Sequence, residues 1–153
     1  MILINTSKQK LYLFTNDKIT FESNISTAIK GIGSSIDSYK TPDGLHIISS
    51  MLGDGKPIGT LFKNRVPTKK IIKKIPSTNQ DFITSRIIRL SGLEYGYNKG
   101  GNVDSFNRYI YIHGTPHKDK IGFPASHGCI RMIDTDVIEL FNLVRLKMLV
   151  MII

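Results

Sequence analysis

The stretch Ser126-His127-Gly128-Cys129-Ile130-Arg131 contains the only cysteine of this 153-residue chain, with a histidine two residues before it and an arginine two residues after it. A lone thiol forms no intramolecular disulfide, so its chemistry is inert burial, metal ligation or nucleophilic attack. Nearby cations, an imidazole and backbone N–H groups lower the pKa of a thiol and so favour the thiolate, which is the attacking form. The neighbours of Cys129 therefore favour nucleophilic attack.

Two further features support this interpretation. Gly128 has no side chain, so a substrate carbonyl can approach the N–H groups of Gly128 and Cys129, which predicts an oxyanion hole. A second histidine, His113, directly follows the apolar run Tyr109-Ile110-Tyr111-Ile112. That position is typical of the end of a strand.

Inert burial and metal binding are the alternatives. An isolated cysteine is most often a small buried hydrophobe, but this explains none of the polar residues around Cys129. Gly114 and Pro116 argue against a helix that would bring two of the histidines onto one face. The possible zinc ligands are His113, His117, His127 and Cys129.

Length and composition predict one soluble globular domain over residues 1–153, since 41% of the residues are hydrophobic and 22% are charged. The net charge of +9 predicts attraction to anionic partners. The lysine cluster within 69–74 is typical of a solvated loop. No aromatic-basic strand and no helix-turn-helix pattern is present, so nucleic acid is not an expected partner.

The N-terminal residues predict no secretory signal, because 1–4 are followed at once by polar residues without a basic leader or a cleavage site. The apolar stretch 146–153 is far shorter than the roughly 20 residues that span a bilayer, so no transmembrane segment is expected. These patterns predict a cytoplasmic protein. The periplasm or cell envelope is the alternative if a leader is missing from the chain.

Short strands separated by turns are predicted over the first half of the chain, including one at 24–28. His46 is expected on a polar face, and 56–77 is a candidate lid outside the core. Val137, Leu140, Phe141 and Val144 recur at helical spacing. Asp136 and Glu139 predict a capping box for that helix.

With Ile112-His113-Gly114-Thr115 before it, the 126–131 stretch resembles the signature of the L,D-transpeptidase catalytic domain, the YkuD family. The resemblance covers nearly the whole chain: 2–14 resemble the first hairpin, Thr41-Pro42-Asp43-Gly44 a characteristic turn, and 134–144 the helix after the nucleophile. It implies a mostly β fold, a β-sandwich of two mixed sheets with one main helix after the catalytic cysteine.

The resemblance also implies residue roles. Cys129 is the acylated nucleophile, His113 its base, and the carbonyl of Gly114 orients His113. No cofactor and no metal is implied. The oxyanion is held by backbone N–H groups of His127, Gly128 and Cys129, and the substrate site is shaped by Ser126, His127 and Arg131.

The implied substrates and partners are peptidoglycan or muropeptide stem peptides. Cys129 attacks the carbonyl of the third residue, diaminopimelate, and D-alanine leaves. Water as acceptor makes the protein an L,D-carboxypeptidase of muropeptide recycling, and an amine makes it an L,D-transpeptidase that forms 3-3 cross-links. The lack of an export signal favours hydrolysis. A non-catalytic wall-binding or zinc-stabilised module is the alternative.

Overall fold

The computed structural model describes residues 1–78 and 80–153. In this part of the chain we find ten strands, one α-helix, α1 (Asp134–Leu143), and two short 3-10 helices (Gly101–Val103 and Lys118–Lys120). The strands are β1 (Ile2–Asn5), β2 (Lys10–Thr15), β3 (Lys18–Asn24), β4 (Gly44–Leu52), β5 (Thr60–Lys63), β6 (Val66–Ile71), β7 (Ile83–Gly92), β8 (Tyr111–Thr115), β9 (Ile130–Ile133) and β10 (Leu149–Ile152).

All ten strands belong to one mixed sheet. Its main path runs β3-β2-β1-β10-β4-β7-β5-β6, while β8 pairs with β7 and β9 pairs with β8. The pairs β1–β10 and β8–β9 are parallel. The mostly β fold with one main helix is therefore confirmed, and the layers expected as two sheets are continuous with each other.

The sheet curls around a single main core. Ile2 of β1 and Leu11 of β2 are fully buried and share this core with Ile112 of β8 and Ile130 of β9, although these strands are far apart in the strand order. Alternate residues of β1 and β2 are buried, as expected for strands with one face on a core. The other face of β7 and β8 carries the site described below.

Helix α1 packs its apolar stripe into this core. Val137, Leu140 and Phe141 are buried, as predicted. The predicted capping box is wrong, because α1 begins two residues before Asp136. The carboxylate of Asp136 instead accepts a hydrogen bond from Ser23 Oγ at 2.6 Å, which ties the helix to β3.

Three local predictions fail because tertiary contacts override the local pattern. Of the strand predicted at 24–28, Asn24 is the last residue of β3, and beyond it Ser26 and Ala28 form only isolated bridges. His46 is fully buried, and its ring hydrogen-bonds Ser105 Oγ at 2.9 Å and the Gly44 carbonyl at 3.0 Å. The stretch 56–77 contains hairpin β5–β6, whose first strand pairs with β7 and so extends the sheet.

Helix α1 has ten residues, and none of the helices in the described ranges combines the length and apolar character needed to cross a bilayer.

We expect Leu140→Ala to lower the free energy of unfolding by about 2–5 kcal/mol, because it leaves a cavity against the sheet. Leu143→Ala is the matched control on the same helix, since Leu143 is 49% exposed and Leu140 is fully buried. Urea denaturation measures both. Equal losses for the two variants would contradict this packing of α1.

Candidate active site

His113 and Cys129 are brought together by the parallel pairing of β8 and β9. Ile112 pairs with Ile130 and His113 with Arg131, so Cys129, one residue before β9, lies beside Tyr111. Side chains alternate along a strand, which places Tyr111, His113 and Cys129 on one face of the sheet. We call this the thiol face. Strand spacing and rise put the Cα atoms of His113 and Cys129 roughly 8 Å apart.

His113 is oriented by its own strand. The ring is buried, and Nδ1–H donates to the carbonyl of Gly114 at 2.8 Å, so Nε2 carries the lone pair. Burial lowers the pKa of His113, and this outweighs Asp81 and the Gly114 carbonyl, which raise it. The imidazole is therefore neutral at neutral pH and suited to accept a proton.

Gly114 is required by the close approach of β7 and of the segment after β9. A Cβ at this position would lie 2.4 Å from the Thr84 carbonyl oxygen and 2.5 Å from Asp134 Oδ1. That same carboxylate oxygen accepts hydrogen bonds from Thr84 Oγ1 and Ser85 Oγ, each at 2.6 Å. A side chain at 114 would push β8, and His113 with it, away from β7.

Cys129 is partly buried against the apolar side chains of Phe62, Ile87 and Tyr111. Its thiol donates to the carbonyl of Tyr109 at 3.4 Å.

Burial raises the pKa of Cys129 to about 12, which outweighs the lowering by a Tyr111 backbone hydrogen bond and by Arg131 and Arg108. The sequence analysis predicts instead that the neighbouring groups lower the pKa of this thiol. At neutral pH the thiol is protonated and needs a base to become a nucleophile.

The turn that carries the thiol is held by two hydroxyl groups. Ser126 Oγ donates to the Cys129 carbonyl at 2.6 Å and accepts from the Gly128 N–H at 3.2 Å. Thr41 Oγ1 donates to the Gly128 carbonyl at 2.9 Å and accepts from the Ala28 N–H at 3.0 Å. Ser126 thus stabilises the turn before Cys129 from within, and Thr41, the first residue of the 41–44 turn, stabilises it from outside.

Gly128 has a φ of +133°, a backbone conformation that residues with a side chain rarely adopt. Its N–H is directed to Ser126 Oγ, so a substrate oxyanion would have to replace that long hydrogen bond. The roles of the His127, Gly128 and Cys129 N–H groups in an oxyanion hole remain predictions.

Asp81 joins two of the predicted substrate residues. Arg131 is buried and its Nη2 lies 2.6 Å from Asp81 Oδ2, while His127 Nδ1 lies 3.6 Å from the same oxygen. Burial raises the pKa of Asp81, but His113, Arg131 and His127 together outweigh it and lower that pKa. Sequence reasoning missed Asp81, because it lies in a polar link before β7 without a motif.

The four possible zinc ligands form no metal-binding cluster in the part of the chain that the structure describes. Among residues 1–78 and 80–153 we find no group of three or more His, Cys, Asp or Glu side chains that could hold a metal ion. The ring of His117 instead hydrogen-bonds the Gln80 carbonyl at 3.0 Å and stacks on Phe82.

A cavity of about 810 Å³ lies away from the thiol face. Asp134, which approaches Gly114 from the face opposite His113, is one of its lining residues. Its apolar wall includes Ile58, Ile71 and Ile75. Cys129 and His113 do not line this cavity, so it is separate from the thiol face.

We expect the alkylation rate of Cys129 by iodoacetamide to rise about tenfold per pH unit up to at least pH 10, because a thiol with a pKa of about 12 is still being deprotonated there. Mass spectrometry follows the label on this single thiol. The urea-unfolded protein is the control, and its rate should level off above about pH 9. A plateau near neutral pH in the folded protein would contradict the protonated thiol.

We expect Asp81→Asn to lower the free energy of unfolding by about 3 kcal/mol, since it leaves the buried Arg131 guanidinium without its counter-charge. Glu22→Gln, which removes the exposed Lys10–Glu22 ion pair, is the control and should change little. Urea denaturation at pH 7 compares them. A loss no larger than that of the control would show that Arg131 does not depend on Asp81.

Solved L,D-transpeptidase structures share this fold. The chain aligns over 99% of its length with the enzyme from Mycobacterium smegmatis (12% identity, 57% of that chain, TM-score 0.61). It aligns equally fully with L,D-transpeptidase 3 from Mycobacterium tuberculosis (14%, 60%, 0.60) and with the L,D-transpeptidase from Stackebrandtia nassauensis (15%, 54%, 0.56). The chain thus spans between half and three fifths of the length of these proteins.

A search of curated proteins found no match to this chain. The family model of the YkuD L,D-transpeptidase catalytic domain, in contrast, matches residues 1–152. Since the match covers nearly every residue and the solved L,D-transpeptidases share the fold, this chain belongs to the L,D-transpeptidase catalytic domain family.

Proposed function

We propose that this protein is a cysteine acyltransferase that acts on peptidoglycan stem peptides and cleaves the bond between diaminopimelate and the terminal D-alanine. The observation that carries the proposal is the placement of His113 and Cys129 on one face of two paired strands, with the proton of His113 fixed on Nδ1. Family membership supports the substrate class.

Acylation follows from the charge states of the two side chains. His113 Nε2 takes the thiol proton of Cys129, and Sγ attacks the carbonyl carbon of the third residue of the stem. The oxyanion is stabilised by backbone N–H groups of the 127–129 turn. As the C–N bond breaks, His113 returns the proton to the departing amine, D-alanine leaves, and a thioester remains on Cys129.

Base catalysis is essential here because burial keeps the thiol protonated. Both partners start neutral, so proton transfer to His113 creates an ion pair as the new C–S bond forms. Asp81 favours the positive charge that develops on His113 but opposes the thiolate, and Arg131 favours the thiolate but opposes the imidazolium. Arg108 favours the negative charge that develops on Cys129. These charged groups thus act when the sulfur becomes nucleophilic.

The second half-reaction returns the free enzyme. Water or an amine gives a proton to His113 and attacks the thioester, and Sγ leaves and is reprotonated. Water yields a tripeptide and makes the protein an L,D-carboxypeptidase. An amine yields a cross-linked or exchanged product. We propose hydrolysis as the main outcome for soluble muropeptides.

We expect purified protein to release D-alanine from a disaccharide tetrapeptide, and Cys129→Ala to reduce the rate at least a thousandfold while it keeps the melting temperature within a few degrees. Mass spectrometry identifies the accompanying product, for which we expect the disaccharide tripeptide. Dimers or exchanged D-amino acids would show an amine acceptor. Release that survives in Cys129→Ala would contradict the cysteine mechanism, and no release by the unaltered protein would contradict the substrate.

A further inference from the structure

Two arginines with no role in the proposed reaction, Arg65 and Arg89, converge on Tyr109, whose carbonyl accepts the hydrogen bond of the Cys129 thiol. Arg65 is at the tip of hairpin β5–β6, where Asn64 and Arg65 have φ values of +48° and +69°. Two successive left-handed residues form the tight turn typical of two-residue hairpins. The turn places the Arg65 guanidinium 4.5 Å from the ring centroid of Tyr109, with Nη1 3.4 Å from Tyr111 Oη.

Arg89 approaches the same tyrosine from β7. It is the cross-strand partner of Tyr111, and its guanidinium lies 4.9 Å from the ring centroid of Tyr109. It also stacks on Phe106 at 3.4 Å and donates from Nη2 to the Phe106 carbonyl at 2.7 Å. Its Nε is buried and has no hydrogen-bond partner. Phe106 thus fixes the guanidinium of Arg89 beside Tyr109, and the buried Nε is not open to a ligand.

Neither guanidinium is paired with a carboxylate in the described part of the chain. In the ranges 1–78 and 80–153, no carboxylate lies within 4.0 Å of the nitrogens of Arg65 or Arg89. A third nearby arginine, Arg108, is occupied by the carbonyls of Lys40 (2.7 Å) and Gly33 (3.2 Å). Arg65 and Arg89 are the two guanidiniums that lie against the Tyr109 ring, and neither forms an ion pair with a carboxylate in these ranges.

The pair is close to the reacting sulfur. Tyr109, whose ring contacts both guanidiniums, is also the residue whose carbonyl accepts the Cys129 thiol at 3.4 Å. Tyr111 packs against Cys129. Burial raises the pKa of Tyr111, Arg65 and Arg89 lower it, and Cys129 raises it, so all three of these side chains act on Tyr111. Tyr109 and Tyr111 thus connect both guanidiniums to the part of the thiol face that holds Sγ.

We propose that Arg65 and Arg89 form a carboxylate-binding site that selects acyl donors with a free carboxylate near the attacked carbonyl. This rests on the proposed function and adds its specificity determinant. Guanidinium groups bind carboxylates with charge-assisted hydrogen bonds and are more weakly hydrated than lysine ammonium groups. The two candidate carboxylates are that of the terminal D-alanine, on the leaving side of the attacked bond, and that of the diaminopimelate side chain.

Three substrates test the site: the tetrapeptide, its terminal carboxamide, and its diaminopimelate side-chain amide. We expect the unaltered protein to prefer the tetrapeptide over one of the amides by 10- to 100-fold in kcat/KM. The disfavoured amide identifies which carboxylate is bound. Arg65→Gln should reduce that preference to less than about threefold, mainly by raising KM for the tetrapeptide, and Arg65→Lys should restore part of it.

Lys69→Gln is the matched control, because it removes one positive charge from the exposed strand β6 of the same hairpin. It should leave the preference intact. Equal kcat/KM for all three substrates, a preference that survives Arg65→Gln, or one lost equally in Lys69→Gln would overturn the carboxylate site. No turnover of any substrate by the unaltered protein would instead overturn the proposed function from which the site follows.

Discussion

The parallel pairing of β8 with β9 is the constraint on which the site depends. Two parallel neighbours cannot be joined by a tight turn, so the chain between them must leave the sheet and return. That return path, 116–129, ends in the turn braced by Ser126 and Thr41, which delivers Cys129 beside Tyr111. Because side chains alternate along a strand, a slip of one residue would turn the thiol or the imidazole to the opposite face.

Burial sets the chemistry of the pair once the register has placed it. It keeps the Cys129 thiol protonated and the His113 ring neutral, so the resting site holds two uncharged partners. The charged groups around them, Asp81 and Arg131, are already paired with each other at 2.6 Å. A paired ion needs little rearrangement when charge develops nearby, which is the property that preorganised electrostatic stabilisation requires.

The β5–β6 hairpin connects the edge of the sheet to the thiol face. The sequence of 56–77, which contains this hairpin, predicts a lid outside the core, yet β5 pairs with β7 and the tip reaches Tyr109 and Tyr111. The lysines of β6 are exposed, while the single arginine of the tip faces the site. Position in the hairpin, rather than the number of charges, decides which cation can meet a substrate.

The sequence by itself determined the family, the mostly β fold, the α1 stripe and the two residues proposed for the chemistry, because these depend on local motifs and on periodicity. Only the tertiary structure decided the raised pKa of Cys129, the burial of His46, the pairing of Arg131 with Asp81 and the convergence of Arg65 and Arg89. Each of these results from contacts between residues distant in sequence. A local pattern carries no information about which distant group will desolvate or neutralise a side chain.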